Sequence, residues 1–428
     1  MDGTFSLVID SLAFGGAGVG RHGGKVVFVP SAFPGDEVVV AVVRDHKSYA
    51  EARITKIQAA SPLRRESPCA YVDDCGGCPW MGLDYAAQLE WKRKIISDQF
   101  AHIAKMQVEV EAVAPSPAAT GYRALVRLKV GTAGAFRIGY CKPKSHDIVQ
   151  IGRCAVASDT INAMIPEVRG FLSGNPQYAA FIDTMKFESG YPARGGRVTI
   201  DATGVIPGAY LAGLLKACPS VAGVAAIYGK DIRSQGMVNL ELELVAGLSL
   251  QYCPGVFAQI NPQANLALLE KVRRLSGLEA GERGLDLFCG IGNITFSLAK
   301  EGVLMTGVEF SQQSVADANE NKKRFGMDSV SFIQGDAGRH ARLMAKEGKK
   351  FAAVILDPPR GGAVGMAKAV CSLAEKRIVY ISCYPPALAR DTVEMVKEGF
   401  KPVFVEPVDM FPHTSHVETV AVFERAKP

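Results

Sequence analysis

From about residue 251 the chain alternates short apolar runs with helix-length stretches, and this pattern constrains its fold most strongly. The predicted strands are Gly284–Phe288, Val303–Val308, Ser329–Gln334, Phe351–Leu356, Arg377–Ser382, Pro402–Val408 and Glu418–Phe423. The predicted helices are 292–300, 312–325, 338–347, 364–374 and 386–398. Short apolar strands separated by helices form parallel, doubly wound sheets, which bind ligands outside the carboxyl ends of their strands. We therefore expect a Rossmann-like domain over 251–428.

The first 250 residues follow other patterns, and a chain of 428 residues has room for about three domains. Residues 1–58 contain short β-branched runs broken by glycine turns, which predicts a small β-barrel. Residues 59–250 predict a mixed α+β domain that starts with a loop rich in proline and cysteine. An amphipathic helix over 84–105 belongs to this part, and we expect it to pack on the C-terminal domain. The predicted fold class is multidomain α/β.

Composition limits the class of protein further. Hydrophobic residues make up 48% of the chain and charged residues 21%, which excludes wholesale disorder. The first ten residues lack the basic and apolar regions of a secretory signal, and no apolar run approaches the ~18 residues of a membrane span. We expect a soluble cytoplasmic protein that does not bind membranes and works as a monomer.

Positive charge is concentrated in one stretch, although the net charge is only +5. Between Gly121 and Arg153 there are seven Lys or Arg residues and one acid, Asp147. Arg123, Arg127 and Lys129 alternate with apolar residues as on a strand, so one sheet face could gather them. RNA or another polyanion is one interpretation of this pattern, and a solvated surface is the other.

Polar residues follow three consecutive strands of the C-terminal pattern. The first strand runs into the glycine-rich turn Asp286–Asn293, the second ends at Glu309 and the third at Asp336. A glycine turn lets a ligand approach the backbone, and a carboxylate about 20 residues later can accept hydrogen bonds from a ribose. A third glycine and a P-loop motif are both absent, which disfavours a dinucleotide or a nucleoside triphosphate. The pattern indicates another nucleoside-containing cofactor.

Three further positions at this edge carry candidate chemistry. Asp357 is followed by two prolines and Arg360, a rigid turn that holds a carboxylate. Cys383 follows the fifth strand and precedes a helix, a position that should lower the pKa of its thiol and make it a nucleophile. Glu418 opens the last strand among apolar residues, where burial should raise the pKa of a candidate base. A buried structural cysteine and a solvated glutamate are the competing interpretations.

Four of the ten cysteines form a candidate metal site. Cys69, Cys75 and Cys78 lie in one loop, and Cys154 follows 76 residues later. No export signal is present, which argues against a disulfide framework. Four cysteines bind either tetrahedral zinc or an iron–sulfur cluster, and their spacing alone does not decide between them.

Taken together, these motifs resemble the bacterial RNA uracil-C5 methyltransferase family, most closely its iron–sulfur branch that acts on 23S ribosomal RNA. The matching segments are the cysteine set, Val256–Pro262, Asp286–Asn293, Asp357–Arg360, Ser382-Cys383, Leu388–Asp391 and His416–Thr419. Residues 1–58 resemble an RNA-binding TRAM domain, through Gly15–Arg21, Val27–Pro30 and Pro34–Asp36. The resemblance covers nearly the whole chain.

The resemblance implies specific roles. Cys383 would be the nucleophile and Glu418 the base. S-adenosylmethionine would bind at Gln259, Phe288, Asn293, Glu309, Asp336 and Asp357. The four cysteines would bind a [4Fe-4S] cluster, which their three-plus-one layout also favours over zinc. The family usually has asparagine after the nucleophile, whereas this chain has Tyr384.

The sequence leaves the substrate open, because ribosomal and transfer RNA enzymes of the family share these motifs. Two other classes of protein compete with this interpretation. A non-catalytic RNA-binding or assembly factor would not need Cys383, Glu418 and the cofactor residues together. A radical enzyme typically has Cys-x3-Cys-x2-Cys, whereas the first gap in this chain is five residues.

Overall fold

The computed structural model describes residues 3–131, 136–192, 195–245 and 247–426. These residues form three large units that follow one another along the chain, each built on its own β-sheet. The predicted multidomain α/β class is confirmed. Within the described ranges, no helix has both the length and the apolar character needed to cross a membrane.

The N-terminal unit is a six-stranded curved sheet. Its strands are β1 (Thr4–Val8), β2 (Ser11–Leu12), β3 (Gly18–His22), β4 (Lys25–Val29), β5 (Glu37–Asp45) and β6 (Tyr49–Ala59), in the spatial order β1-β5-β6-β4-β3-β2. Alternate residues such as Leu7, Val27 and Val38 form its core. Asp36 closes the turn before β5, since its carboxylate accepts from the Phe33 and Ser61 backbone N–H groups at 2.6 and 2.8 Å.

A helix follows and joins the first unit to the last. Helix α1 (Tyr85–Gln99) continues into a π-helical turn, Phe100–Ala104, and both pack on the C-terminal unit through Ile96 and Phe100. Lys92 Nζ donates to Asp409 Oδ1 at 2.6 Å, and both side chains are fully buried. A buried charge is costly without a partner, so this pair fixes the helix on the loop that follows the sixth strand of the C-terminal sheet.

The central unit is a seven-stranded sheet with two helices on one face. Its elements are β7 (Leu125–Gly131), β8 (Arg137–Cys141), β9 (Ile148–Gln150), α2 (Asp159–Gly174), β10 (Ile182–Ser189), β11 (Gly196–Ala202), α3 (Gly208–Ala217), β12 (Val221–Tyr228) and β13 (Asp231–Gly236). The spatial order is β13-β12-β11-β10-β7-β8-β9. The sequence predicted a mixed α+β domain here but located only strand-like runs between 121 and 250. The structure adds helices α2 and α3, and Ile161, Ile165 and Val168 of α2 share one buried face.

The C-terminal unit is the predicted doubly wound sheet, preceded by the hairpin β14 (Leu240–Val245) and β15 (Leu248–Tyr252). Its elements are α4 (Pro262–Ser276), β16 (Arg283–Leu287), α5 (Asn293–Ala299), β17 (Leu304–Glu309), α6 (Gln312–Phe325), β18 (Val330–Gln334), α7 (Ala337–Lys346), β19 (Phe351–Leu356), α8 (Ala367–Leu373), β20 (Ala374–Ser382), α9 (Pro385–Lys397), β21 (Phe400–Val408) and β22 (Glu418–Arg425). The spatial order is β18-β17-β16-β19-β20-β22-β21. Helix α4 is an addition to the sequence prediction.

Candidate active site

The carboxyl ends of five parallel strands, β16 to β20, meet at one edge of the C-terminal sheet. Strand β22 runs antiparallel between β20 and β21, so its first residue lies at the same edge. Ser382 at the end of β20 pairs with Thr419 of β22. Cys383, which follows Ser382, and Glu418, which precedes Thr419, therefore lie next to each other at this edge. The fold thus brings the expected nucleophile and base together from positions 35 residues apart.

The glycine-rich turn after β16 has a constrained backbone. Phe288 has φ = +69°, a left-handed conformation that non-glycine residues rarely adopt. Gly292, with φ = +88°, starts α5, and a Cβ atom there would lie 2.7 Å from Phe296 and 3.0 Å from Phe332. Strain of this kind persists where the surrounding structure enforces it, and such positions cluster at binding sites. The turn is therefore constrained by its left-handed backbone at Phe288 and by internal packing at Gly292.

Hydrogen bonds connect this turn to its neighbours. The Glu309 carboxylate accepts from the Gly290 N–H at 3.1 Å and the Ser311 N–H at 2.7 Å. The amides of Asn293 and Asn265 donate to each other at 2.9 Å. Asn265 lies on α4, and sequence reasoning missed it because the helix itself was missed. These contacts hold the turn between β17 and α4.

The other expected cofactor residues occupy the same edge with different exposure. Asp336 is exposed and caps α7, since its Oδ1 accepts from the Arg339 N–H at 2.7 Å. Gln259 is half-buried in the segment before α4. Burial raises the pKa of Asp357 to about 7. Burial also raises the pKa of Asp286 to about 7, although a hydrogen bond of 2.6 Å from Thr295 Oγ1 acts in the opposite direction and lowers this pKa.

The pKa values of the Cys383 thiol and the Glu418 carboxyl are both raised. Burial raises the pKa of the Glu418 carboxyl well above its usual range, and Asp357 raises it further. This agrees with the direction expected from the sequence. Burial also raises the pKa of the Cys383 thiol to about 11, with further contributions from Glu418 and Asp357. The expected lowering of the pKa of Cys383 was wrong, because burial, together with the two neighbouring carboxyls, raises it.

Arg360 and His416 complete the edge. Arg360 opposes the carboxylates and lowers the pKa of the Cys383 thiol. Its Nη2 lies 3.5 Å from His416 Nε2. Burial and the charge of Arg360 lower the pKa of His416 to about 4, so this imidazole is neutral at physiological pH. Arg360 and His416 both lie in motifs noted in the sequence, but the spacing between those motifs does not predict this contact.

The four expected metal ligands line one cavity of the central unit. Cys69, Cys75 and Cys78 come from the loop before α1, and Cys154 comes from the segment after β9. Burial raises the pKa of the Cys75 thiol and raises that of Cys78 to about 12. Among the described residues, no group of three His, Cys, Asp or Glu side chains is arranged to hold a metal ion. The cavity therefore gathers the thiols without forming a closed coordination shell.

Arg123 lines this cavity, so it does not lie with Arg127 and Lys129 on the sheet face predicted from the sequence. Its guanidinium lines the cavity and lowers the pKa values of Cys75 and Cys78. A cation facing buried thiols favours their thiolate forms, the forms that bind metals. The donor set thus fits a metal centre chemically.

Arg127 and Lys129 lie on the opposite face of the central sheet from α2 and α3. They point away from the core, which contains Val126 and Leu128. Lys186 pairs with Arg127 across the strands and shares this face. Arg127 is exposed, whereas Lys129 donates to Asp183 Oδ1 at 2.7 Å. We name Arg127, Lys129, Lys186 and Arg137 the basic face.

The strand order β18-β17-β16-β19-β20-β22-β21, with β22 antiparallel, and the glycine-rich turn after β16 are typical of S-adenosylmethionine-dependent methyltransferases. Comparisons with known proteins narrow this class. Residues 234–426 match the model of the tRNA (uracil-5-)-methyltransferase family, and residues 4–55 match that of the TRAM domain.

Relatives match along almost the whole chain. A protein of Alkalilimnicola ehrlichii named 23S rRNA (uracil(1939)-C(5))-methyltransferase RlmD is 32% identical over 98% of this chain and 96% of its own. A protein of the same name from Aeromonas hydrophila gives the same three values. The crystal structure of Pyrococcus abyssi tRNA (uracil-54, C5)-methyltransferase with S-adenosyl-L-homocysteine is 27% identical, has a TM-score of 0.78 and covers 98% of this chain and 100% of its own.

The chain belongs to the RNA uracil-C5 methyltransferase family and carries an N-terminal TRAM domain. Members of this class use S-adenosylmethionine to methylate carbon 5 of uracil in RNA, and this is the activity of the enzyme. The expected enzyme class and its methyl donor are confirmed.

Proposed function

We propose that the enzyme methylates one uridine of 23S ribosomal RNA, with Cys383 as nucleophile and Glu418 as base. The observation that carries this proposal is the position of these two residues next to the register pair Ser382–Thr419, where β20 ends and β22 begins. Full-length relatives named for 23S ribosomal RNA support the choice of substrate.

The chemistry requires a thiolate and a base next to a bound methyl donor. Carbon 5 of uracil is a weak nucleophile, so Cys383 adds to carbon 6 and produces an enolate at carbon 5. S-adenosylmethionine supplies an electrophilic methyl group for this carbon. Glu418 then removes the proton from carbon 5, and elimination releases the cysteine.

The environment of both groups fits these steps. Arg360 favours the Cys383 thiolate against the opposing carboxylates. A buried Glu418 carboxylate is a stronger base than one in water, because burial raises its pKa. The target base must leave its stack to reach them, as in other enzymes that modify bases.

For S-adenosylmethionine we propose the edge formed by Gln259, Phe288, Asn293, Glu309, Asp336 and Asp357. Glu309 ends the second strand, where a carboxylate can accept from ribose hydroxyls. The left-handed Phe288 and Gly292 open the turn toward the start of α5. These features support a nucleoside ligand at this edge.

We further propose that Cys69, Cys75, Cys78 and Cys154 bind a [4Fe-4S] cluster. The shared cavity, its four thiols and the facing Arg123 support this assignment. The cluster would tether the loop that contains Cys69–Cys78 to the central sheet and thereby shape the RNA-binding surface. No step of methyl transfer passes through it.

Methylation assays with two RNA transcripts test the choice of substrate. The purified enzyme, given S-adenosylmethionine, should form 5-methyluridine in unmodified 23S ribosomal RNA and leave unmodified transfer RNA unchanged. Mapping of 5-methyluridine in RNA from a strain without the gene should find one ribosomal position unmethylated. Methylation of transfer RNA alone would establish the second candidate, which the Pyrococcus abyssi structure favours.

A further inference from the structure

A loop of the TRAM domain reaches the residue next to the nucleophile. The phenyl ring of Phe14 packs against the phenol ring of Tyr384, with centroids 5.1 Å apart and ring planes at 85°. Tyr384 directly follows Cys383 and precedes α9. An element of the first unit, 370 positions away in sequence, therefore forms part of the wall beside the reacting thiol.

The loop that carries Phe14 is held firmly. The Ala13 and Gly16 N–H groups close it through hydrogen bonds of 2.9 Å to Ala17 O and Ala13 O. The fully buried Trp80 donates from Nε1 to Gly16 O at 2.9 Å. A Cβ atom on Gly16 would lie 3.1 Å from Ser415 Cβ, so the loop rests on the segment that leads to Glu418.

Phe14 contributes little to the core despite this support. It is 37% exposed, whereas its neighbour Leu12 is 4% exposed and packs with Trp80. Tyr384 is half-buried. The loop therefore presents aromatic surface to solvent at the entrance to Cys383, where RNA must approach.

We propose that Phe14 and Tyr384 together form a stacking surface for the RNA base next to the target uridine. The proposal rests on the proposed function, since it requires RNA bound over Cys383. When the target uracil leaves the stack, its neighbour loses a stacking partner. An aromatic side chain can replace that partner, and such stacking accepts any base because every base has a π-face.

Steady-state kinetics with transcribed 23S ribosomal RNA test the surface. Phe14→Ala and Tyr384→Ala should each raise the KM for RNA about tenfold, the usual loss for one base–aromatic stack, with a small change in kcat. Tyr384→Phe keeps the ring and should restore the wild-type KM. Tyr228→Ala serves as the matched control, because Tyr228 is 44% exposed at the end of β12 in the central unit.

Phe14→Leu separates stacking from packing. Leucine keeps an apolar side chain of similar size but lacks a ring. The proposal predicts the same raised KM as for Phe14→Ala. A wild-type KM for Phe14→Leu together with a raised KM for Phe14→Ala would reduce the contact to packing and overturn the proposal.

A synthetic RNA with an abasic neighbour gives the most direct readout. Abasic nucleotides are placed in turn on the 5′ and 3′ sides of the methylated uridine. One of them should raise the KM about tenfold for the wild type and should have no effect on Tyr384→Ala. Equal effects on both proteins would overturn the proposal. If the wild type methylates RNA and the variants keep its KM, the stacking surface is refuted and the proposed function stands. If the wild type methylates no RNA, the proposed function is refuted.

Discussion

The active-site edge and the cysteine cavity both bury cysteine thiols, but the charged groups next to these thiols differ. At the edge, Cys383 faces the carboxyls of Glu418 and Asp357. In the cavity, Cys78 faces the guanidinium of Arg123. Burial raises the thiol pKa in both places, to about 11 and about 12.

The difference in neighbours explains two uses of one residue type. A thiol with a pKa of about 11 next to carboxyls is mostly protonated at physiological pH. Thiols next to a fixed cation can be deprotonated when they bind a metal, because the metal and the cation both stabilise the negatively charged thiolates. Burial raises the thiol pKa in both places, and the charged neighbours then distinguish the two kinds of thiol.

Removal of the edge thiol should have the largest effect. Cys383→Ala should abolish methyl transfer and leave the affinity for S-adenosylhomocysteine nearly unchanged, because the thiol is not needed to hold the cofactor. Methyl incorporation and calorimetric binding measure the two properties. Cys253→Ala is the matched control, since Cys253 is also half-buried but lies beside Asp317. Normal turnover in Cys383→Ala would remove this mechanism.

Removal of a cavity thiol should affect another property. Protein purified without oxygen should be brown and contain about four iron and four sulfide per chain. Cys154→Ser should remove the colour and reduce RNA affinity more than cofactor affinity, whereas Cys141→Ser, outside the cavity, should change neither. Iron analysis and RNA binding measure the effect. Colourless wild-type protein with stoichiometric zinc would overturn the cluster assignment.

The sequence predicts secondary structure most accurately where apolar strands and helices alternate regularly. The predicted helix over 312–325 coincides with α6, and the predicted strand Phe351–Leu356 with β19. Buried parallel strands are continuous apolar runs, and glycine or proline marks their ends. The central unit was harder, because Pro166 lies inside α2 and interrupts the sequence signature of a helix.

Contacts between distant segments could not be predicted. Lys92 and Asp409 are 317 positions apart, and nothing in either local sequence indicates a buried pair. The pKa of Cys383 could not be predicted either, because its burial and its carboxyl neighbours depend on strands that are distant in sequence. Arg123 was misplaced because strand alternation was extended to it, whereas β7 begins at Leu125.

The pH dependence of alkylation should separate the two kinds of thiol. A thiol with a pKa of about 11 is almost fully protonated at pH 7, and its thiolate fraction grows about tenfold per pH unit up to about that value. Iodoacetamide labelling of Cys383, followed by peptide mass spectrometry, should therefore accelerate from pH 7 to 10 without a plateau. Cluster-bound cysteines should stay unlabelled throughout. A plateau for Cys383 by pH 8 would contradict the opposing effect of the carboxyls.

Two arginines of the central unit should give the smallest and most selective differences. Arg127→Ala should weaken RNA binding and reduce the slope of log affinity against log salt by about one unit, since it removes one phosphate contact. Arg123→Ala should leave that slope unchanged and lower the iron content. Filter binding at several salt concentrations measures the slope. An unchanged slope for Arg127→Ala would make the basic face a solvated surface.

The pairing of Cys383 with Glu418 is tested most directly by trapping the intermediate. Glu418→Gln should form the covalent bond to carbon 6 of uracil but fail to resolve it, because the base that removes the carbon-5 proton is gone. Incubated with 23S ribosomal RNA and S-adenosylmethionine, this variant should give a protein–RNA adduct that survives denaturing electrophoresis, and Cys383→Ala with Glu418→Gln should give none. An adduct that persists without Cys383, or full turnover by Glu418→Gln, would contradict the assignment.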